Sequence, residues 1–135
     1  MAYLSKLGSH RNFGLLFIRV GLGVMFIYHG YPKLLSGPHG WAGLGASVKY
    51  VGITFLPVVW GLLSALTESV GGVLIALGLA FRPACVLLVI NLVVAAAAHF
   101  GKGEGLMAAS HAIEAAIMFA GLFFVGPGSY SVDKK

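Results

Sequence analysis

Four apolar stretches constrain what this chain can become. They run from about Phe13 to Tyr31, Pro57 to Ala80, Ala84 to Phe100 and Leu106 to Val125. A helix rises about 1.5 Å per residue and a bilayer's hydrocarbon core is about 30 Å thick, so roughly 20 residues cross it. Each stretch qualifies, the third only if it stands nearly upright. The expected fold class is all-α: an antiparallel four-helix transmembrane bundle, with residues 1–135 forming one domain.

Composition agrees. Of 135 residues, 59% are hydrophobic and 10% are charged, whereas a soluble domain is nearer a quarter charged. The net charge of +5 is scattered and nowhere interleaves with aromatics, so it points to no nucleic-acid partner. In a membrane protein it sets orientation instead. Lys6, Arg11, Arg82, Lys134 and Lys135 fall on one side, and Lys33, Lys49 and Lys102 on the other. The bias favours both termini in the cytoplasm, and the expected setting is a bacterial inner membrane.

The single cysteine, Cys85, excludes an intramolecular disulfide and a Cys-x-x-Cys pair, and with them a membrane enzyme of thiol–disulfide exchange. In its apolar run it reads as a small buried hydrophobe. The first stretch has a basic start, but "YHGYPKLL" follows it rather than a small-x-small cleavage site, so it reads as a retained helix. "FRPA" and "GKGEG" are turns short enough to force antiparallel neighbours. In the longer first loop, Trp41, Leu44, Val48 and Phe55 recur at helical spacing, which predicts a short interfacial segment capping the bundle. No internal repeat or low-complexity segment is evident.

Polar residues inside the spans carry the functional question. A charged side chain at bilayer depth costs about 2.5–3.5 kcal/mol on insertion scales, so such residues face the bundle interior and find partners. Arg19 lies a third of the way into the first span, Glu68 in the middle of the second, Asn91 in the third, and Glu114 in the fourth. His111 is one turn further out, and His29 and His99 are near the outer boundary. Gly61, Ser64, Glu68, Gly71, Gly72 and Ile75 form a stripe of mostly small residues that turns Glu68 inward. Asn91 suits an interhelical hydrogen bond. Arg19 is expected to pair with Glu68, Glu114 or both, either to lock the bundle or to serve chemistry. One carboxylate is then left to be protonated, matched by a histidinium, or bound to a metal or ligand.

His111 and Glu114, an i, i+3 pair, are the candidate catalytic residues. Arg19, Glu68, His29 and His99 are the candidate ligand-binding residues. No metal site is assigned: di-iron bundles carry Glu-x-x-His on two helices, whereas the order here is His-x-x-Glu and it occurs once. Haem held by His29 and His99 is weaker still.

Three segments, "RVGLGVMFIYHGYPKL", "ESVGGVLIALGLAFRPACVLL" and "GPGSYSVDK", resemble the DoxX family of small four-helix membrane proteins. The first matches the family's arginine, spaced glycines and Gly-x-x-Lys-Leu close (Arg19, Gly23, Gly30, Lys33, Leu34). The second matches Glu-x-x-Gly-Gly, Leu-Gly and a basic turn (Glu68, Gly71, Gly72, Leu77, Gly78, Arg82). The third matches the Gly-Pro-Gly and Ser-x-Asp ending (Gly126, Gly128, Ser131, Asp133). The resemblance implies an accessory or quinone-linked subunit of a membrane oxidoreductase, as in thiosulfate-to-quinone electron transfer, or a member of an oxidative-stress assembly.

The expectation drawn from both is a quinone-linked membrane subunit in a lipid bilayer, with quinone as its cofactor and a protein partner or second copy beside it. His111, Glu114, Glu68 and Arg19 would supply the hydrogen bonds and the proton route. The alternative is a non-catalytic scaffold or a small-solute permease component.

Overall fold

The computed structural model describes Leu4 and residues 6–133; Lys134 and Lys135, used above for orientation, lie outside these. Five α-helices follow in order: α1 (Arg11–Leu35), α2 (Gly37–Gly45), α3 (Pro57–Leu77), α4 (Phe81–Gly101) and α5 (Gly105–Val125). Short 3-10 turns occupy Lys6–His10 and Ala46–Val51. Helices α1, α3, α4 and α5 have the length and composition of membrane spans. Phe17, Tyr28, Ile90, Met107 and Phe124 are exposed on their outer faces. Such a surface is a liability in water and a lipid contact in a bilayer. The chain is an all-helical integral membrane protein.

Helix ends differ a little from the apolar runs, for local reasons. α3 stops at Leu77 because Gly78 takes the left-handed conformation (φ 68°). The Gly78 N–H then donates to the Ile75 carbonyl and the Leu79 N–H to the Leu74 carbonyl, which closes the last turn. α4 begins at Phe81, earlier than the apolar run. Its first amides are capped from far along the chain: Ala80 and Phe81 N–H donate to the Asp133 carboxylate at 3.1 and 2.8 Å. A carboxylate there also opposes the positive end of the helix dipole. The tail runs along the same turn, with the Val132 and Asp133 amides donating to the Leu77 and Gly78 carbonyls. These bonds hold Ala80 at φ 46°, a costly conformation for a residue with a Cβ.

Spans pack in chain order, α1 on α3, α3 on α4 and α4 on α5. Glycine allows the α1–α3 contact. A Cβ on Gly23 would lie 2.5 Å from the Gly72 carbonyl oxygen, and one on Gly30 would lie 2.5 Å from the Ser69 nitrogen. Helices therefore approach backbone to backbone, where dispersion is the main attraction in lipid. α1 and α5 meet through side chains alone: Phe26 and Phe119 ring centroids are 5.1 Å apart, while the Cα atoms of the two helices stay more than 8 Å apart. Leu15, Phe26, Ile75, Phe81, Leu88, Phe119 and Leu122 form the core, with Cys85 buried among them.

The first loop folds as the sequence implied, into a short helical segment that caps the bundle. α2 rests on the first turns of α3, where a Cβ on Gly61 would strike the Trp41 carbonyl. Tyr50 reaches across to Gly101 at the end of α4.

Candidate functional site

One face of α1 organises the polar interior. Arg19, Gly23, Phe26, Gly30 and Lys33 follow a 4-3-4-3 spacing, which keeps them in one stripe. The first four are buried. Two cations thus sit about 21 Å apart on the same side of one helix, at 1.5 Å per residue.

Arg19 is 1% exposed, and it does not meet a glutamate. It donates to the carbonyls of Pro127 (2.8 Å), Tyr130 (2.8 Å) and Ala76 (3.1 Å). The expected pairing with Glu68 or Glu114 is therefore corrected. The reason is register. Gly23 opposes Gly72 and Gly30 opposes Ser69, which carries Arg19 past the end of α3. Glu68 is about 12 Å back along that helix from Ala76, at 1.5 Å per residue. At the level of Arg19 stand the unpaired carbonyls of a helix C-terminus and an irregular tail, both of which a cation satisfies. Asn12 adds a bond to the same tail, accepting from the Ser129 N–H at 3.0 Å.

Glu68 has a different partner, Lys33. The ammonium lies 2.7 Å from Oε1, with the lysine side chain 40% exposed and the glutamate 8% exposed. Beside this pair is a cavity of about 500 Å³ between α3 and α4, under the Ala46–Val51 turn. Its walls are mostly apolar, from Leu44, Val48, Leu63, Leu87, Ile90 and Val94. Its polar groups are few. Ser64 Oγ donates to Asn91 Oδ1 at 2.6 Å, the interhelical bond expected of Asn91, which leaves the amide N–H donors of Asn91 without a partner among the described residues. Thr67 and Ser47 also line the space. The indole nitrogen of Trp60, another lining residue, is buried without a partner among the described residues. An orphaned buried donor is costly in an apolar wall, and a ligand acceptor would relieve it.

The other expected residues do not join this site. His29 and His111 come together, with ring centroids 5.9 Å apart between α1 and α5. Both are exposed, and neither lines the cavity. Glu114 is exposed as well, contrary to its expected burial, and has no hydrogen-bond or ion-pair partner among the described residues. His99 pairs at 2.6 Å with Glu104 in the α4–α5 turn. Among the described residues no three His, Cys, Asp or Glu side chains converge.

Sequence reasoning took Lys33 as an orientation-setting charge and as part of the Gly-x-x-Lys-Leu motif, and did not place it among the site residues. Its position fourteen residues after Arg19, on the same helical stripe, was the available signal.

The DoxX family model matches residues 14–101, a segment that holds Arg19, Lys33, Glu68 and every residue lining the cavity. The chain belongs to the DoxX family. A chain from Haemophilus influenzae, described as an uncharacterized protein, is 30% identical over 98% of this chain and 97% of its own length. No solved structure matches the chain. The matched segment ends before the tail that Arg19 grips, so the latch is made between the DoxX segment and residues beyond it.

Proposed function

We propose that this DoxX protein is a quinone-binding membrane subunit of an oxidoreductase, and that the cavity under the Ala46–Val51 turn is where the ring sits. The observation that carries the reading is the cavity's make-up. An apolar space of about 500 Å³ at membrane depth has one half-wet ion pair and donors, from Asn91 and Trp60, that no described residue claims. Small-molecule sites in proteins have this character: mostly apolar, with a few placed polar groups. A quinone offers a flat apolar ring with carbonyl acceptors, and supplies two-electron, two-proton redox chemistry when bound.

In this reading Asn91, Trp60 and the Lys33 ammonium bind and orient the carbonyls, and the Glu68 carboxylate, which accepts from Lys33 at Oε1, is the acid–base group beside them. A positioned acid–base group of this kind needs to be within hydrogen-bond reach of the atom it serves. Arg19, His29, His99, His111 and Glu114 have no part in the site. The basic bias toward the termini supports an inner-membrane orientation with the cavity in the outer half.

One observation favours the scaffold alternative. Arg19, the most buried charge among the described residues, is taken up in holding the tail and the last turn of α3. The permease alternative has no comparable support, since each span is one continuous helix.

Extraction of lipids from protein purified in mild detergent, with mass spectrometry, tests the reading directly. A titration with a short-chain quinone, followed by tryptophan fluorescence, measures affinity. Saturable quenching that Ala95→Phe weakens at least ten-fold supports it. Absence of bound quinone, together with no saturable quenching, replaces it with the scaffold reading.

A further inference from the structure

The structure also leaves one face of α5 unexplained. Met107, His111, Glu114, Met118, Gly121 and Val125 follow a 4-3-4-3-4 spacing, the pattern of a helix–helix seam. All six are exposed. At 1.5 Å per residue the seam is about 27 Å long, nearly the full depth of a bilayer core. Glu114 stands at the middle of the helix with no partner among the described residues. An ionisable side chain facing lipid at that depth is costly, so something other than lipid covers it. A Cβ on Gly121 would meet nothing within 4 Å, which leaves room for another backbone to come close.

We propose that this seam packs against the same seam of a second copy, making a two-fold homodimer about an axis along the membrane normal. The argument for a second copy is complementarity of charge. The seam carries an acceptor, Glu114, and one turn away a group that can donate, His111. In a two-fold pair about such an axis each residue is level with its own copy, and the knob at Glu114 seats in a hole bordered by His111 of the other copy one turn away, so a diagonal His111–Glu114 contact forms twice across the seam. Both copies insert with the same sidedness, and the helices therefore run parallel, an arrangement the 4-3 spacing permits. His29, packed against His111 within each protomer, holds the ring near the seam. The inference stands apart from the quinone reading and uses none of the cavity residues.

Single-cysteine variants in a Cys85→Ala background test it by oxidative crosslinking in native membranes. Met118→Cys and Gly121→Cys lie on the seam; Ile117→Cys and Phe124→Cys are exposed at similar depth but off it. Covalent dimer is expected at the two seam positions at least five-fold above the other two. In the Met118→Cys protein, adding Glu114→Leu or His111→Leu should lower the dimer fraction several-fold, and both together no further than either alone. Unchanged melting in detergent shows that the variants fold. Equal crosslinking at all four positions, none at the seam, adducts to a different subunit, or a dimer fraction unmoved by Glu114→Leu would each overturn the proposal.

Discussion

Lys33 Nζ lies 2.7 Å from Glu68 Oε1, and the two side chains come from neighbouring spans, α1 and α3. The glutamate is nearly buried while the lysine is 40% exposed, so the charges are unequally solvated. Removing the lysine strands a carboxylate in a dry wall. Removing both leaves only apolar surface. That asymmetry makes the pair testable.

Lys33→Leu is expected to destabilise the protein by about 1–3 kcal/mol, below the 3–5 of a fully buried pair because water already reaches the lysine. The double variant Lys33→Leu/Glu68→Leu should recover most of that loss. Thermal unfolding in detergent, arranged as a double-mutant cycle, gives the coupling. Additive single effects would show that the two residues do not interact.

Arg19→Met should cost about 2–4 kcal/mol, since hydrogen bonds to charged groups are worth about 1.5–3 each and three carbonyls, one buried and two partly buried, lose theirs. The Pro127–Asp133 tail should become sensitive to limited proteolysis, and Arg19→Lys should restore part of the protection. Glu68→Gln should not rescue Arg19→Met. Rescue would mean that arginine and glutamate are coupled after all.

Asp133→Ala removes the cap on Ala80 and Phe81 and should cost about 1 kcal/mol, the usual worth of an N-cap. Amide hydrogen exchange should speed up in the first turn of α4 and stay unchanged in α5. Equal protection of that turn in the unsubstituted and Asp133→Ala proteins would make the cap incidental.

Two glycines of α1 should respond in opposite ways. Gly23→Ala forces a methyl onto the Gly72 carbonyl and should destabilise by about 1–3 kcal/mol, as overpacking does. Gly21→Ala meets nothing within 4 Å and should be neutral or stabilising by about 0.5–1 kcal/mol through helix propensity. Melting of the two variants in detergent decides; a loss at Gly21 equal to that at Gly23 would contradict the packing described.

The sequence by itself determined the architecture. Four apolar runs of spanning length leave the backbone little choice but helices, because hydrocarbon offers no other partner for its N–H and C=O groups. The short turns at "FRPA" and "GKGEG" then dictate antiparallel neighbours. The mostly small-residue stripe on α3 also told which way Glu68 faces, and Asn91 found its interhelical bond with Ser64. Partner choice was not legible. Depth along a helix can be read to within a turn or two from sequence, whereas an ion pair needs atoms within about 4 Å. The register of α1 on α3, set by Gly23 against Gly72 and Gly30 against Ser69, moved Arg19 past the end of its neighbour and brought Lys33 to Glu68. Only the tertiary structure decided that. It also decided that Glu114 faces outward, because which side of a uniformly apolar helix meets the bundle depends on packing against the other spans rather than on any period in its own residues.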